Sequence, residues 1–319
     1  MVKIEQLLEA GVHFGHRVTK WNPRMAPFIF GERNGIHIID LIQTLNYLDE
    51  ASKFLEQLNR GGRSNSSTSS TGDNNNISKQ ILFVGTKKQA SNLIEVCANK
   101  INGLVGSSGS FDTVGDATAT LGTHREGSSN SAVSAHYVNH RWLGGLLTNW
   151  STMKICIDQL NDLEKRESNG ELQTLPKKER SILKKQHEKL NKFFGGIKNL
   201  KQRPDIVIII GQDIEMNAVR ECNKLQNTAD LSDASSASGA SSRTSLMGNT
   251  NRNPSQQMFK RKGDFSGLGK LRTITLLDTN CDPSLADIFI PANDDSTKSL
   301  ELILGEFTTV LSNEISKTF

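Results

Sequence analysis

Three groupings of side chains in this sequence have the residue types for site chemistry. The first is HFGH, where His13 and His16 stand three apart and can share a metal with an aspartate from elsewhere. A tetrahedral site needs three or four donors. Gly15 between the rings and Gly11 before them favour a turn instead, with one histidine packed and the other hydrogen bonded. The second grouping is Asp278, Asp282 and Asp287. Turn chemistry in the Asp-Pro-Ser triplet accounts for Asp282, and a magnesium ion on carboxylates alone, without phosphates, is an uncommon arrangement. The third is the four cysteines, Cys97, Cys156, Cys222 and Cys281. They are widely spaced without a CxxC pair, which argues against a zinc ribbon or a dense disulfide framework and for reduced thiols in or beside a core. Cys281 has no basic neighbour in its loop to activate it, and no Ser-His-Asp order suggests itself. The residues point to no catalytic group, no cofactor and no resident metal.

Cations interleaved with rings and glycines are a different matter. One segment holds His16, Arg17, Lys20, Trp21, Asn22 and Arg24; another holds His140, Arg141, Trp142, Gly144, Gly145, Asn149 and Trp150. A third carries Lys177, Lys178, Arg180, Lys184 and Lys185 on what the spacing predicts to be the exposed side of a helix. Lysine and arginine neutralise phosphates, rings stack on exposed bases, and glycine lets the backbone come close. The tryptophans serve equally well as packing at a joint, and the lysines as a solvated helix face. The charge distribution favours binding. Residues 151–203 contain 13 Lys/Arg against 7 Asp/Glu, a local +6 in a chain whose total is +4, so the remainder is −2.

The elements that must position these residues follow from periodicity. ILFV, DIVIII and TITLL read as strands buried on both faces, the first two each followed by a helical pattern and the third by the turn DTNCDPSLAD. VNH is preceded by a short strand from His136, and GIHII and IFI are further short strands. Strands alternating with helices imply a parallel sheet with helices on both faces. A short helix is expected near the start, over residues 2–10, and a longer one from Asp40, with Gln43 at capping-box spacing and Gly61–Gly62 as its stop. Asp294 or Asp295 is expected to cap the last helix. The loops after two central strands, GTKKQA and GQDIE, match neither the dinucleotide nor the P-loop glycine pattern. Between them, Met153, Ile157 and Leu160 share one helical face and Leu183, Leu190, Phe194 and Ile197 another. That pattern predicts an antiparallel helical hairpin, with Pro176 in the first turn of its second helix.

Hydrophobic content of 35% and aromatic content of 6% are low for a fully packed chain of 319 residues. Residues 64–78, 103–134 and 227–269 are polar, small and without period. They read as insertions in surface loops, where extra length costs little. The expected organisation is an α/β domain over residues 1–150 and 199–319, with the hairpin over 151–198. No run approaches the roughly 18 apolar residues of a membrane span, and MVKIEQLLEAGVHFGH has neither a signal core nor an Arg/Ser-rich transit pattern.

EAGVHFGHRVTKWNPRMAPFIFGERNGIHIIDL, ILFVGTKKQA, YVNHRWLGGLLTNW, FFGGIKNLKQRPDIVIII and LLDTNCDPSLADIFIPANDD, in that order, resemble the bacterial and plastid form of the ribosomal protein S-two family. The resemblance covers nearly everything outside the three insertions. It implies a flavodoxin-like doubly wound parallel sheet with an inserted antiparallel coiled-coil hairpin, and a structural role in the small ribosomal subunit. The implied partners are small-subunit rRNA and other small-subunit ribosomal proteins, with S-one a candidate at the amino-terminal helix, and neither a membrane nor a second copy of the chain. The insertions and the LLTNWST and DTNCDP stretches suggest a chloroplast protein, with the bacterial cytoplasm as the alternative. Two other readings stay open from the residues alone: a free RNA-binding module outside the ribosome, and a nucleotide-dependent enzyme on the same sheet.

Overall fold

Five aliphatic runs pair side by side in the computed structural model, which describes residues 2–64, 79–106, 133–236 and 271–316. They are β4 (Lys79–Val84), β5 (Val133–Val138), β6 (Ile206–Ile210), β7 (Arg272–Leu277) and β8 (Ile288–Pro291), all parallel, in the spatial order β5-β4-β6-β7-β8. Ranked by chain order within the sheet, this is 2-1-3-4-5, the flavodoxin-like order.

The period-two alternation of a strand divides the core. Ile81, Phe83, Ile206, Ile208, Ile210, Ile274, Leu276 and Ile290 face one layer, where Leu48, Leu55, Ile94, Ile303, Leu304 and Phe307 meet them. Those partners come from α2 (Leu41–Ser64), α3 (Lys88–Gly106) and α8 (Thr297–Ser316). Leu82, Val84, Val138, Val207 and Ile209 face the opposite layer and pack on Trp142, Leu147, Ile157, Leu160, Phe194 and Val219. Those residues belong to the 139–149 loop, to α4 (Trp150–Ser168), to α6 (Lys177–Phe194) and to α7 (Met216–Ser236). Burying each such aliphatic side chain contributes about 1.5–3 kcal/mol, so a strand with both faces covered is held far more firmly than a half-exposed one.

The Gly- and Pro-containing segment after the short helix α1 (Ile4–Glu9) forms a second sheet. Strands β1 (Phe14–Arg17), β2 (Ile29–Arg33) and β3 (Ile36–Ile39) are antiparallel in the order β1-β3-β2. Arg33 pairs with Ile36 across Asn34 and Gly35, which have φ of 55° and 74°. Positive φ at both central residues is what a tight two-residue hairpin requires, and Asn-Gly is its preferred sequence. Met25 and Phe28 anchor this sheet on Leu277 and Cys281.

Several boundaries differ from expectation. Helix α2 continues through Gly61 and Gly62 to Ser64; glycine keeps its N–H and costs a helix only about 1 kcal/mol each. Asp40 does cap α2, accepting from the Ile42 N–H at 3.0 Å, but Gln43 donates to Asp40 and to the Pro27 carbonyl instead of closing the box. Asp294 and Asp295 do not cap α8. Asn293 Oδ1 accepts from the N–H groups of Asp295 and Ser296 and organises that turn. Pro176 stands at the N-cap of α6, one residue before its first turn. Helix α3 runs to Gly106, α7 to Ser236, and β5 starts at Val133. Apart from these edges, the three polar stretches lie outside the described residues.

Helices α4 and α6 pack on each other, joined through the short α5 (Glu171–Thr174). His187 lies 3.5 Å from Glu167, and Lys198 lies 3.4 Å from Glu164. Going from within the second helix to just past its end, the partners thus move toward the start of the first, the order of an antiparallel pair.

One polar pair sits inside the sheet. His136 Nε2 is 2.6 Å from Gln80 Oε1, and burial pushes the imidazole down to about 4 from an ordinary 6.5. The folded chain therefore keeps His136 neutral where the unfolded chain protonates it. Its contribution to stability is complete above about pH 6.5 and is lost as pH falls toward 4. Between pH 7 and pH 4.5 the native chain should lose about 2 kcal/mol more than His136→Gln, as read by urea unfolding. Equal losses would show that the proton is bound alike in both states.

Candidate nucleic-acid interface

The loop after β5 connects the sheet to α4, and a single carboxylate holds it. Glu221, on α7, accepts from Trp142 Nε1 at 3.1 Å, from the Gly145 N–H at 2.6 Å and from the Leu147 N–H at 3.1 Å; the Thr148 N–H and hydroxyl both lie at 3.4 Å. Gly145 has a φ of 88°, a conformation that glycine adopts without strain. Asn149 then forms the N-cap of α4 and accepts from Thr152 Oγ1 at 3.0 Å. Nothing in the sequence around Glu221 signals this role, because its partners lie more than seventy residues earlier.

The structure separates the candidate cations and rings into two groups. Arg17, Lys20, His140, Arg141, Lys177, Lys178, Lys184 and Lys185 are exposed, and the four lysines make no ion pair among the described residues. Trp21 is 37% exposed, with its ring 5.2 Å from that of His37. The second group is engaged internally. Trp142 is buried, so it packs the joint and does not offer a stacking face. Asn22 accepts from the Arg24 N–H, and Arg24 itself pairs with Asp282 and donates to Ser284 Oγ at 3.0 Å. Arg180 donates to the Leu172 carbonyl at 2.9 Å, fastening the turn between the two helices. His16 faces Asp278 at 2.9 Å, and that hydrogen bond holds its imidazole above the ordinary range against the opposing effect of burial. His13 is packed, and burial lowers it. The division of labour expected for the two histidines is the one found. Beside His140 lies a polar cleft of about 630 Å³ lined by Glu95, Asn102, Tyr137, Asn191 and Lys192.

In a sheet of this order a ligand would sit at the switch point, between the carboxyl ends of β4 and β6. Here Glu215, from the turn after β6, accepts from the Thr86 N–H at 3.0 Å and from the Thr86 hydroxyl. A side-chain carboxylate thus lies on the donors that a phosphate would use. Burial raises the Glu215 carboxyl, and the Thr86 hydrogen bonds oppose that rise. Lys87, the next residue, is turned to Asp294 and Asp295 at 2.7 and 2.9 Å. Three of the thiols are buried, and burial pushes Cys97 up to about 11 and Cys222 and Cys281 up to about 12, away from nucleophilic reactivity.

Fold and site together define a flavodoxin-like α/β protein whose own carboxylates fill its ligand crevice and whose exposed cations lie on α6, on the loop before α4 and at the end of β1. The sequence model described as Ribosomal protein S2 matches residues 7–106, 126–229 and 268–313, and the chain belongs to that family. It is 38% identical over 312 residues to the small ribosomal subunit protein uS2c of Oltmannsiellopsis viridis, covering 98% of this chain and 92% of the relative. It is 38% identical to uS2c of Mesostigma viride, covering 97% and 96%, and 39% identical to uS2 of Synechococcus sp. (strain JA-3-3Ab), covering 98% and 82%. The segments the family pattern leaves unmatched, 107–125 and 230–267, fall inside two of the three polar stretches; residues 64–78 fall inside a matched one.

Because Glu221 satisfies several donors at once, its loss should be felt at the joint first. Glu221→Ala is expected to cost about 2–3 kcal/mol in urea unfolding and to shift tryptophan emission to the red; Glu221→Gln, which keeps an acceptor, should cost less. Unchanged stability and emission in the alanine variant would remove Glu221 from this role.

Proposed function

We propose that the chain is a structural, non-catalytic constituent of the small ribosomal subunit, holding small-subunit rRNA and neighbouring ribosomal proteins in place during translation. The observation that carries this reading is family membership over nearly the whole chain, joined to the row of exposed lysines on α6. The hairpin over residues 151–198 acts as a coiled-coil arm separate in function from the sheet domain. Its Lys177, Lys178, Lys184 and Lys185, with Arg17, Lys20, His140 and Arg141, make many weak phosphate contacts, and Trp21 supplies a ring for stacking. The cleft beside His140, lined by amides and hydroxyl, suits base edges or ribose hydroxyls.

The protein works in a plastid or bacterial ribosome, and we place it in the plastid stroma: relatives named uS2c are covered over 92% and 96% of their length, the cyanobacterial uS2 over 82%. In sucrose gradients of lysed plastids it should sediment with small-subunit particles; recovery only at the top of the gradient would sink the ribosomal reading. Replacing the four lysines of α6 by alanine should flatten the dependence of log K on log salt for small-subunit rRNA, by roughly 0.9 for each phosphate no longer neutralised. An unchanged slope would turn that face toward solvent or protein.

The protein partner, S-one among the candidates, docks on the amino-terminal side. Helix α1 and the small sheet expose Ile4, Leu8, Phe14 and Phe30, the last 80% accessible, and apolar groups left in water mark association surfaces. Leu8→Asp with Phe30→Asp should leave rRNA binding intact while depleting S-one from purified particles. Unaltered S-one content would move its docking site elsewhere.

A further inference from the structure

The parallel sheet ends at β5, and the cleft of about 630 Å³ beside His140 lies along that edge strand. An edge strand presents unpaired N–H and C=O groups on which another strand can pair. Here the outward positions are occupied. Asn102 Nδ2 donates to the Ala135 carbonyl at 2.7 Å, and its Oδ1 accepts from the Ala135 N–H at 2.9 Å. The next outward carbonyl, of Tyr137, faces Gly196, where a Cβ would stand 2.2 Å from the oxygen. A peptide strand is thus blocked from pairing along β5. What is left is a space with α3 on one side and the end of α6 on the other.

Glu95 of α3 lines that space, and each of its oxygens takes one donor. The Tyr137 hydroxyl donates to Oε1 at 3.1 Å, and Asn139 Nδ2 donates to Oε2 at 3.1 Å. Burial and the Glu95 charge push the Tyr137 phenol up to about 12, so its hydroxyl stays a donor through the physiological range. The two bonds fix the carboxylate plane. A carboxylate has about four acceptor positions, so each oxygen keeps room for one more donor. The lysines of the cleft do not supply it. Lys198 turns to Glu164 at 3.4 Å, Lys192 stands 6.0 Å from the Phe193 ring, and neither pairs with Glu95 among the described residues. Glu95 and Glu188 balance Lys192 and Lys198, so the cleft has no excess positive charge to favour a phosphate.

The ligand that fits is a neutral planar group with two donors side by side. Among the four RNA bases only guanine has such an edge, its N1–H lying beside the exocyclic amine. Adenine and cytosine set an acceptor next to their amine, and uracil sets its N–H between two carbonyls. Each of these would turn an acceptor toward the carboxylate and leave a lone pair facing a charge. The volume is that of an ordinary small-ligand site. Asn99, Asn191 and Asn199 offer amides to the rest of the base and to ribose hydroxyls, while the exposed His140 and Lys192 stand where sugar and phosphate would leave.

We propose that this cleft takes one unpaired guanine of small-subunit rRNA, read by the Glu95 carboxylate; the inference rests on the rRNA-binding reading above and adds a base preference to it. The probes are the RNA pentamers UUGUU, UUIUU and UUAUU, where I is inosine, which keeps N1–H and lacks the 2-amino group. Binding to the full-length chain is read at low salt by fluorescence anisotropy of an end label. UUGUU should bind at least ~10-fold more tightly than UUAUU, with UUIUU between them. Glu95→Gln replaces one acceptor by a donor; it should bring the guanine-to-adenine ratio to within about twofold and leave the affinity for UUAUU unchanged. Circular dichroism checks that the variant folds, and the inosine comparison, which uses the native chain, decides should it not. Equal binding of the three pentamers would overturn the guanine cleft, as would a guanine preference that survives Glu95→Gln. Binding of small-subunit rRNA but of no pentamer would overturn it too, leaving the rRNA reading in place. Binding of neither would sink that reading and this inference with it.

Discussion

A parallel sheet puts the carboxyl ends of all its strands on one edge, and the helices that follow begin there with their unpaired N–H groups. That edge is electropositive and needs acceptors. This chain meets the need with its own carboxylates. Glu215 lies on Thr86, Glu221 on the 139–149 loop, and Asp278 on Thr279, while Asp294 and Asp295 receive Lys87. Most of these acids come from segments remote in sequence from their donors, so they close long loops as well as hydrogen bonds. The joint to α4, the seat of the amino-terminal sheet and the closed switch point all depend on this one interaction type. In water the same carboxylates would be solvated and worth little. In a half-buried edge they are charge-assisted acceptors, roughly twice as strong as neutral ones.

Filling the crevice in this way shapes what the molecule can do. A doubly wound sheet with an open switch point is a ready phosphate cradle; here the donors are taken, and the cations left exposed lie outside it, on α6 and in the segments after β1 and β5. Long side chains in high dielectric bind phosphate weakly one at a time and strongly only in numbers. Such a surface suits a large, fixed polyanion and discriminates poorly among small ligands. The aliphatic layers on both faces of the sheet supply the complementary property, since a core packed on two sides deforms little under load.

The core of this arrangement was legible in the sequence. Runs such as IVIII in β6 can only be strands buried on both faces, and the period of Met153, Ile157 and Leu160 marks one side of α4. The second sheet was signalled as well, by Asn34-Gly35 between two apolar runs, but the glycines and prolines around it masked the strands. Legibility ended where partners are far apart in the chain. Glu221 has the look of any helix-surface glutamate until the 139–149 loop is brought over it. His16, Arg24 and Trp142 have the composition of an RNA surface, yet folding gives them internal partners from residues 221 and 278–295. Asp294 and Asp295 precede a helix as caps do, but Ser296 Oγ accepts from the Ser299 N–H and Asn293 holds the turn before it, which leaves both carboxylates to His16 and Lys87. Spacing along the chain describes local competition for hydrogen bonds; it does not show which distant acceptor wins.

If the helix pair works as the arm proposed above, its length makes the bonding of the joint matter. Helices α4 and α6 have 19 and 18 residues, or about 27 Å at 1.5 Å per residue. A rotation of about 10° at the base would carry the tip through about 5 Å, a large part of the roughly 8 Å over which charges are felt at physiological salt. Lysines on a loosely hinged arm would therefore sample phosphates without holding a register. The base is fixed at three places: Trp142 and Leu147 against the sheet, Phe194 and Ile197 beside them, and Glu221 across the loop. Gly196 belongs to the same clamp, since a Cβ there would stand 2.2 Å from the Tyr137 carbonyl oxygen, a contact no side chain can relieve. Close backbone approach at the base would thus be the physical condition, under that proposal, for placing charge at the far end.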